Sequence, residues 1–213
     1  MSNKPERRRR FIRATAPAFG LLAAGLLVWQ GSYAAFSATT NNTGSTWASG
    51  SLNLVNDGNG GGTFLATQAV NWGQANIKPG ATATVCINVQ NTGTAAGTLN
   101  FYRSGALADT NVGNPASLLS GKILLTIDAV ASATKLAPAS CTPAGFSALG
   151  ASTPVASAVA LSALPTAWSG GATAVTVPAG QFAVYRVTWL FDPTAGNTYQ
   201  TASTGTAFTW EEQ

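Results

Sequence analysis

Cys86 and Cys141 are the residues of this sequence best equipped for covalent chemistry, and no histidine accompanies them. Histidine is the commonest general base and the commonest metal ligand, so its absence removes most routes to hydrolysis and to a transition-metal centre. Two thiols alone do not complete a tetrahedral zinc site. In an exported chain two cysteines pair, which predicts an intramolecular Cys86–Cys141 disulfide; the rival reading is a reactive or intermolecular thiol. The carboxylates Asp128 and Asp192 are candidates for an acid–base pair, but nothing in their spacing links them, and the plainer reading makes both turn or surface residues. No Gly-x-Ser-x-Gly elbow is present to hold a serine nucleophile. Asp57-Gly-Asn-Gly-Gly-Gly62 has the look of a calcium loop, yet it offers one local carboxylate where calcium takes six or more oxygens. A flexible loop is the simpler account.

Two further features remain. Lys122 heads an apolar stretch and is the one lysine placed for a Lys–Asn cross-link of the kind found in some bacterial surface sandwiches. Of the five tryptophans beyond residue 35, Trp189 and Trp210 sit in strand-like stretches and read as core. Trp72 and Trp168 lie near loops and are the candidates for a carbohydrate platform. No cofactor is expected, and the chain reads as a non-enzyme.

The elements that position these residues divide at about residue 35. Lys4, Arg7, Arg8, Arg9, Arg10 and Arg13 make a basic start, and residues 14–29 are apolar. Ser32-Tyr-Ala34 then places small residues before a cut between Ala34 and Ala35. This is the pattern of a secretory signal peptide, residues 1–34. The alternatives are a retained membrane anchor, since about 20 apolar residues can span a bilayer, and a twin-arginine signal. From Ala35 onward Lys78, Arg103, Lys122, Lys135 and Arg186 face six carboxylates. The net charge of +4 therefore belongs to the leader, and the body has no basic surplus for nucleic acid or an anionic membrane. Contact with a membrane is expected only through the leader before cleavage.

The body reads as short strands between Gly, Pro, Asn and Ser clusters. A first strand includes Leu52 and Leu54, with a second over Thr63–Val70. Ala81–Gln90 alternates, with Val85, Ile87 and Val89 on one face and Thr84, Cys86 and Asn88 on the other. Leu99 and Phe101 continue the pattern. Asn114–Gly121 has the form of one helical turn, and Lys122–Val130 is an apolar strand. Residues 131–172 are expected to form long loops with one or two short strands. Gln181–Phe191 is the strongest strand, with Tyr185, Val187, Trp189 and Phe191 opposite Phe182, Val184, Arg186, Thr188 and Leu190. Asn197–Gln200 and Thr206–Trp210 finish the body. Eight or nine such strands predict an all-β, antiparallel two-sheet sandwich of jelly-roll type after the N-terminal signal-peptide helix.

Four blocks carry a resemblance. Gly31-Ser-Tyr-Ala-Ala-Phe-Ser37, followed by Trp47-Ala-Ser-Gly-Ser-Leu-Asn-Leu54, is similar to the N-terminal signature of the TasA/camelysin family of secreted bacterial proteins. Ile77-Lys-Pro-Gly80 through Asn91-Thr-Gly-Thr94 resembles that family's Lys-Pro-Gly, strand, Asn-Thr-Gly block. Val177-Pro-Ala-Gly180 with the following strand, and Ala195 to Trp210, resemble its C-terminal blocks. The likeness runs in order across most of the chain, with residues 105–172 poorly covered. It implies a jelly roll of residues 51–213 and a role as the protomer of an extracellular biofilm-matrix or cell-surface fibre.

In that reading residues 35–50, with Phe36 and Trp47 as apolar plugs, add as a donor strand to a neighbouring subunit, giving a head-to-tail homopolymer. An accessory assembly protein is a further implied partner. Some members of the family are labelled metalloproteases. This chain has no histidine, so that activity is not carried over. The cysteine pair is a departure from the shared pattern. The alternative function is a monomeric cell-surface module binding carbohydrate or cell wall. Mass spectrometry of the exported protein is expected to find Ala35 at the N-terminus and a mass short of two hydrogens; an intact leader or two free thiols would contradict these readings.

Overall fold

Strand patterning accounts for most of the architecture. The computed structural model describes residues 51–58, 62–68, 72–168 and 175–213. Ala34, Ala35, Phe36 and Trp47 lie outside the described residues. Eight strands are found among the described residues: β1 (Leu54–Asn56), β2 (Thr82–Asn91), β3 (Gly97–Arg103), β4 (Ile123–Ser132), β5 (Thr153–Ala160), β6 (Val175–Val177), β7 (Phe182–Phe191) and β8 (Phe208–Glu212). They form a five-stranded sheet, β1-β2-β7-β4-β5, and a three-stranded sheet, β6-β3-β8. Every pairing is antiparallel.

β7 is the axis of the larger sheet. β2 pairs along one side of it from Thr82↔Leu190 to Gln90↔Phe182, and β4 along the other from Ile123↔Phe191 to Ser132↔Phe182. Its β-branched and aromatic residues suit a pleated surface packed on both faces. On the inner face Tyr185 and Val187 meet Ile87 and Val89 of β2, Leu125 and Ile127 of β4, and Leu99 and Phe101 of β3 in one core. On the outer face Val184 joins Cys86, Val130, Leu136 and Phe146 in a second cluster. That second cluster explains why β7 is apolar on both sides: residues 133–150 cross its outer face and cover it.

The covering segment contains α1 (Pro143–Ser147), a short helix opened by Thr142, whose hydroxyl accepts a hydrogen bond from the Gly145 N–H at 3.0 Å. Phe146 on α1 is buried, and the Arg186 guanidinium stands over its ring at 5.0 Å.

Two turns fix the entry and exit of β2. In Lys78-Pro-Gly80, Ala81 N–H donates to the Lys78 carbonyl at 2.9 Å, and Gly80 supplies the φ of 86° that such a turn requires. After β2, a Cβ at Gly93 would collide with the Ser51 carbonyl, so the Asn-Thr-Gly turn lets the chain before β1 lie close.

Several expected elements differ. Thr63–Val70 does not form a strand among its described residues: only Leu65 bridges, to Asn56. Its apolar residues pack without a ladder, as Phe64 does against Phe182. The turn expected at Asn114–Gly121 is a 3₁₀ turn confined to Leu119–Gly121, and Asn197–Tyr199 is also 3₁₀. Within 131–172 the chain forms α1 and the eight-residue β5, longer than anticipated. Leu52 is exposed at 45% and precedes β1.

Ile127 is fully buried between the sheets. Ile127→Ala is expected to lower unfolding free energy by about 2–5 kcal/mol in urea titrations, whereas Val112→Ala, at a site 90% exposed, should change it by less than about 0.5 kcal/mol.

Candidate functional site

The two sheets are unequal, and the consequence is concentrated at β8. Thr98 and Gln213 exchange both backbone hydrogen bonds, at 2.8 and 3.0 Å. By the alternation of an antiparallel ladder, Glu211 and Thr209 then also turn their backbone groups toward β3, and Phe208, Trp210 and Glu212 turn theirs away. On that outer side β8 has no paired strand among the described residues. The larger sheet finishes its edges differently. Asn56 of β1 exchanges backbone bonds with Leu65 at 2.9 and 3.0 Å. β5 carries Pro154 and a register irregularity against β4, with Ala158 at φ 50°. Proline and bulges are devices that blunt a strand edge.

Beside the unpaired edge lies a cleft of about 1320 Å³, lined by residues of both β1 and β8. Trp72, Ile77, Ile123, Trp189, Phe191 and Phe208 give it an apolar wall. Trp72 stacks on Phe208 with ring centroids 4.4 Å apart, and Phe101 lies 5.4 Å from Phe208 and 5.5 Å from Trp210. Trp72 is therefore packed against the core rather than offered flat to solvent, which corrects its assignment as a surface platform. The cleft also holds polar groups without partners. The indole N–H groups of Trp189 and Trp210 and the Thr204 hydroxyl are buried and make no hydrogen bond.

At the far end of β8 the buried Asn91 ties three strands together. Its Nδ2 donates to the Val177 carbonyl at 3.2 Å and to Glu212 Oε1 at 2.7 Å, while its Oδ1 accepts from the Gly93 N–H at 2.8 Å. Burial pushes the Glu212 carboxyl above its ordinary value. Next to it, Tyr102 donates to Glu211 Oε2 at 2.7 Å, which holds the Glu211 carboxyl down and raises the Tyr102 phenol. Burial also raises the Tyr185 phenol.

The remaining candidates are brought to separate places. Cys86 and Cys141 are joined by a disulfide, with S–S 2.09 Å and Cα–Cα 5.6 Å. Closing a loop with a sequence separation of 55 residues stabilises by about 4 kcal/mol on the chain-entropy model. Disulfides of this kind belong to oxidising compartments. Asp128 and Asp192 do not meet each other: Asp128 pairs with Arg186 directly across the β4–β7 ladder at 2.8 Å, and Asp192 pairs with Lys122 at 2.8 Å. Hydrogen bonds from Lys122 and then Thr194 hold the Asp192 carboxyl down, from 3.8 to about 2, and the same bond raises Lys122. Both groups stay charged, whereas amide condensation needs a neutral amine.

Asp57 is 3% exposed, and its carboxylate accepts from the Asn88 backbone N–H at 2.8 Å and Asn88 Nδ2 at 2.6 Å. Both oxygens are thus engaged by protein donors, so the calcium-loop reading gives way to a structural one. Among the described residues no cluster of three or more His, Cys, Asp or Glu is assembled, and no helix is long and apolar enough to cross a membrane.

The fold and site together define an all-β sandwich of two antiparallel sheets, disulfide-bonded, in which the β8 edge beside an aromatic cleft has no strand partner among the described residues. No protein-family model and no curated protein matches this chain.

Because the folded-state pKa of Asp192 is depressed, the contribution of its pair with Lys122 is present above about pH 3.8 and is lost as pH falls through about 2. In Lys122→Met, carboxyl titration followed by NMR should move Asp192 back up toward 3.8; an unmoved value would assign the shift to Thr194 alone.

Proposed function

We propose that the processed chain is an exported structural subunit that polymerises head to tail into extracellular biofilm-matrix or cell-surface fibres. In this reading the two-sheet body is a jelly roll, and the segment from Ala35 to about Gly50 enters a neighbour as an added strand. The observation that carries the proposal is the unpaired outer edge of β8 beside the aromatic cleft. An exposed edge templates pairing with another chain, and backbone pairing with side-chain pockets is how strand addition combines affinity with specificity.

The proposed donor suits such a site by its chemistry. Residues 35–50 carry no charge. In an extended Ala35–Thr40, Phe36 and Ala38 fall on one face while Ala35, Ser37 and Thr39 fall on the other. That alternation lets Phe36 meet the aromatic wall while the polar face stays in water. The resemblance of four ordered blocks to the TasA/camelysin family supports the same conclusion. A contact in which one surface of each subunit meets a different surface of the next does not close on itself, and so produces filaments.

Electron microscopy of the chain beginning at Ala35 is expected to show filaments. Deletion of residues 35–50, or Phe36→Asp, should abolish them and leave folded monomer. A stable monomer at high concentration with its N-terminus intact would contradict polymerisation.

A further inference from the structure

One wall of the cleft is tied, beyond the short ladder of its own strand, to a buried relay that ends at the disulfide. β1 is three residues long and contributes Leu54, Val55 and Asn56 to the cleft lining. So short an edge strand has little ladder of its own. Immediately after it, Asp57 donates its backbone N–H to the Asn88 carbonyl at 3.1 Å. Its side chain accepts both Asn88 donors described above. The rest of the Asn88 amide is spent on the covering segment: Oδ1 accepts from the Leu136 N–H at 2.7 Å, and Nδ2 donates to the Leu136 carbonyl at 3.0 Å. Asn88 is fully buried and acts as an inserted peptide group, bridging the end of β1 to residues 133–150. Two residues before Asn88 on the same face, Cys86 holds that segment through Cys141. Leu136, Phe146 and Cys86 share one apolar cluster.

We propose that forming the Cys86–Cys141 bond sets the β1 wall of the cleft, so that the acceptor is completed only once the chain has met an oxidising compartment. The oxidant is a disulfide-bearing exchange partner, RSSR. The two cysteine S–H bonds break, one S–S bond forms between Cys86 and Cys141, and two electrons and two protons pass to RSSR, giving two RSH.

With both thiols reduced, residues 133–150 lose their covalent tether to β2, and the Leu136–Asn88 hydrogen bonds and the apolar cluster alone hold them. When that hold opens, the Asn88 amide loses both Leu136 partners, and water entering in their place competes for its remaining bond to Asp57. The side-chain anchor at the end of β1 is weakened, and that end of the cleft wall opens more often. A reduced chain on the cytoplasmic side is therefore a poor acceptor, and oxidation outside completes it. The consequence for assembly rests on the fibre reading; the coupling between disulfide and β1 does not.

Hydrogen exchange read by mass spectrometry on the Phe36→Asp chain beginning at Ala35, expected to stay a folded monomer, oxidised and reduced, separates the two. The coupling predicts that reduction speeds exchange by about tenfold or more both in 133–150 and at the amides of Asn56 and Asp57, with the β4–β7 ladder unchanged. Acceleration confined to 133–150 would overturn it. If the reduced chain unfolds as a whole, the oxidised Asp57→Ala variant decides, because coupling is reciprocal. Faster exchange at the Leu136 amide supports the relay, and an unchanged rate overturns it. Failure of the fibre reading would appear instead as absent filaments with the exchange pattern intact.

Discussion

Backbone groups at a strand edge must bond to something, and among the described residues no strand meets that requirement on the outer side of β8. Phe208, Trp210 and Glu212 direct their backbone outward while their side chains enter the interior. The same three residues therefore join the core to the unpaired edge. The aromatic contacts among Trp72, Phe101, Phe208, Trp210 and Tyr185 make that edge a rigid rim rather than a loose strand. The opposite sheet finishes its own edges with the Asn56–Leu65 bridge and with Pro154. Among the described residues β6 is the other edge of the same sheet, but it is three residues long, whereas β8 offers five residues beside the cleft.

Polar residues inside the molecule are placed where elements must be tied across long sequence distances. Asn91 links β2, β6 and β8, and Asn88 links β1, β2 and the covering segment. The Asp128–Arg186 pair is partly shielded by Phe146, so its charge is compensated by geometry that depends on α1 lying over β7. Asn88 and Asn91 each have several partners, the condition under which a buried polar group specifies an arrangement instead of weakening it. The disulfide fastens the same outer face covalently.

Much of this architecture is legible in the residues themselves. β2 and β7 alternate so clearly that both faces can be assigned by inspection, and they occupy the centre of the larger sheet. The cysteine pairing follows from there being two cysteines in a chain that reads as exported. Other parts resist for physical reasons. β5 is built from Ala, Ser, Thr, Pro and Val without clean alternation, because its edge position and bulge relax the period. Phe64 and Leu65 look like strand residues, but Phe64 packs on Phe182 and Leu65 makes only an isolated bridge to Asn56. The Asp57–Asn88–Leu136 relay joins positions 31 and 48 residues apart, which no local pattern encodes. Its one local sign is an asparagine set between Ile87 and Val89. Trp72 lies in a stretch of loop composition, and only the fold brings it against Phe208.

The central claim is that β8 receives the strand that joins one subunit to the next. The most direct measurement is residue-resolved hydrogen exchange at the amides of Phe208, Trp210 and Glu212, compared between monomer and assembled filament. Strand addition at this edge predicts strong protection of these amides on assembly, while those of Thr209 and Glu211, already turned toward β3, change little. Filaments in which the Phe208, Trp210 and Glu212 amides exchange as fast as in the monomer would contradict the account.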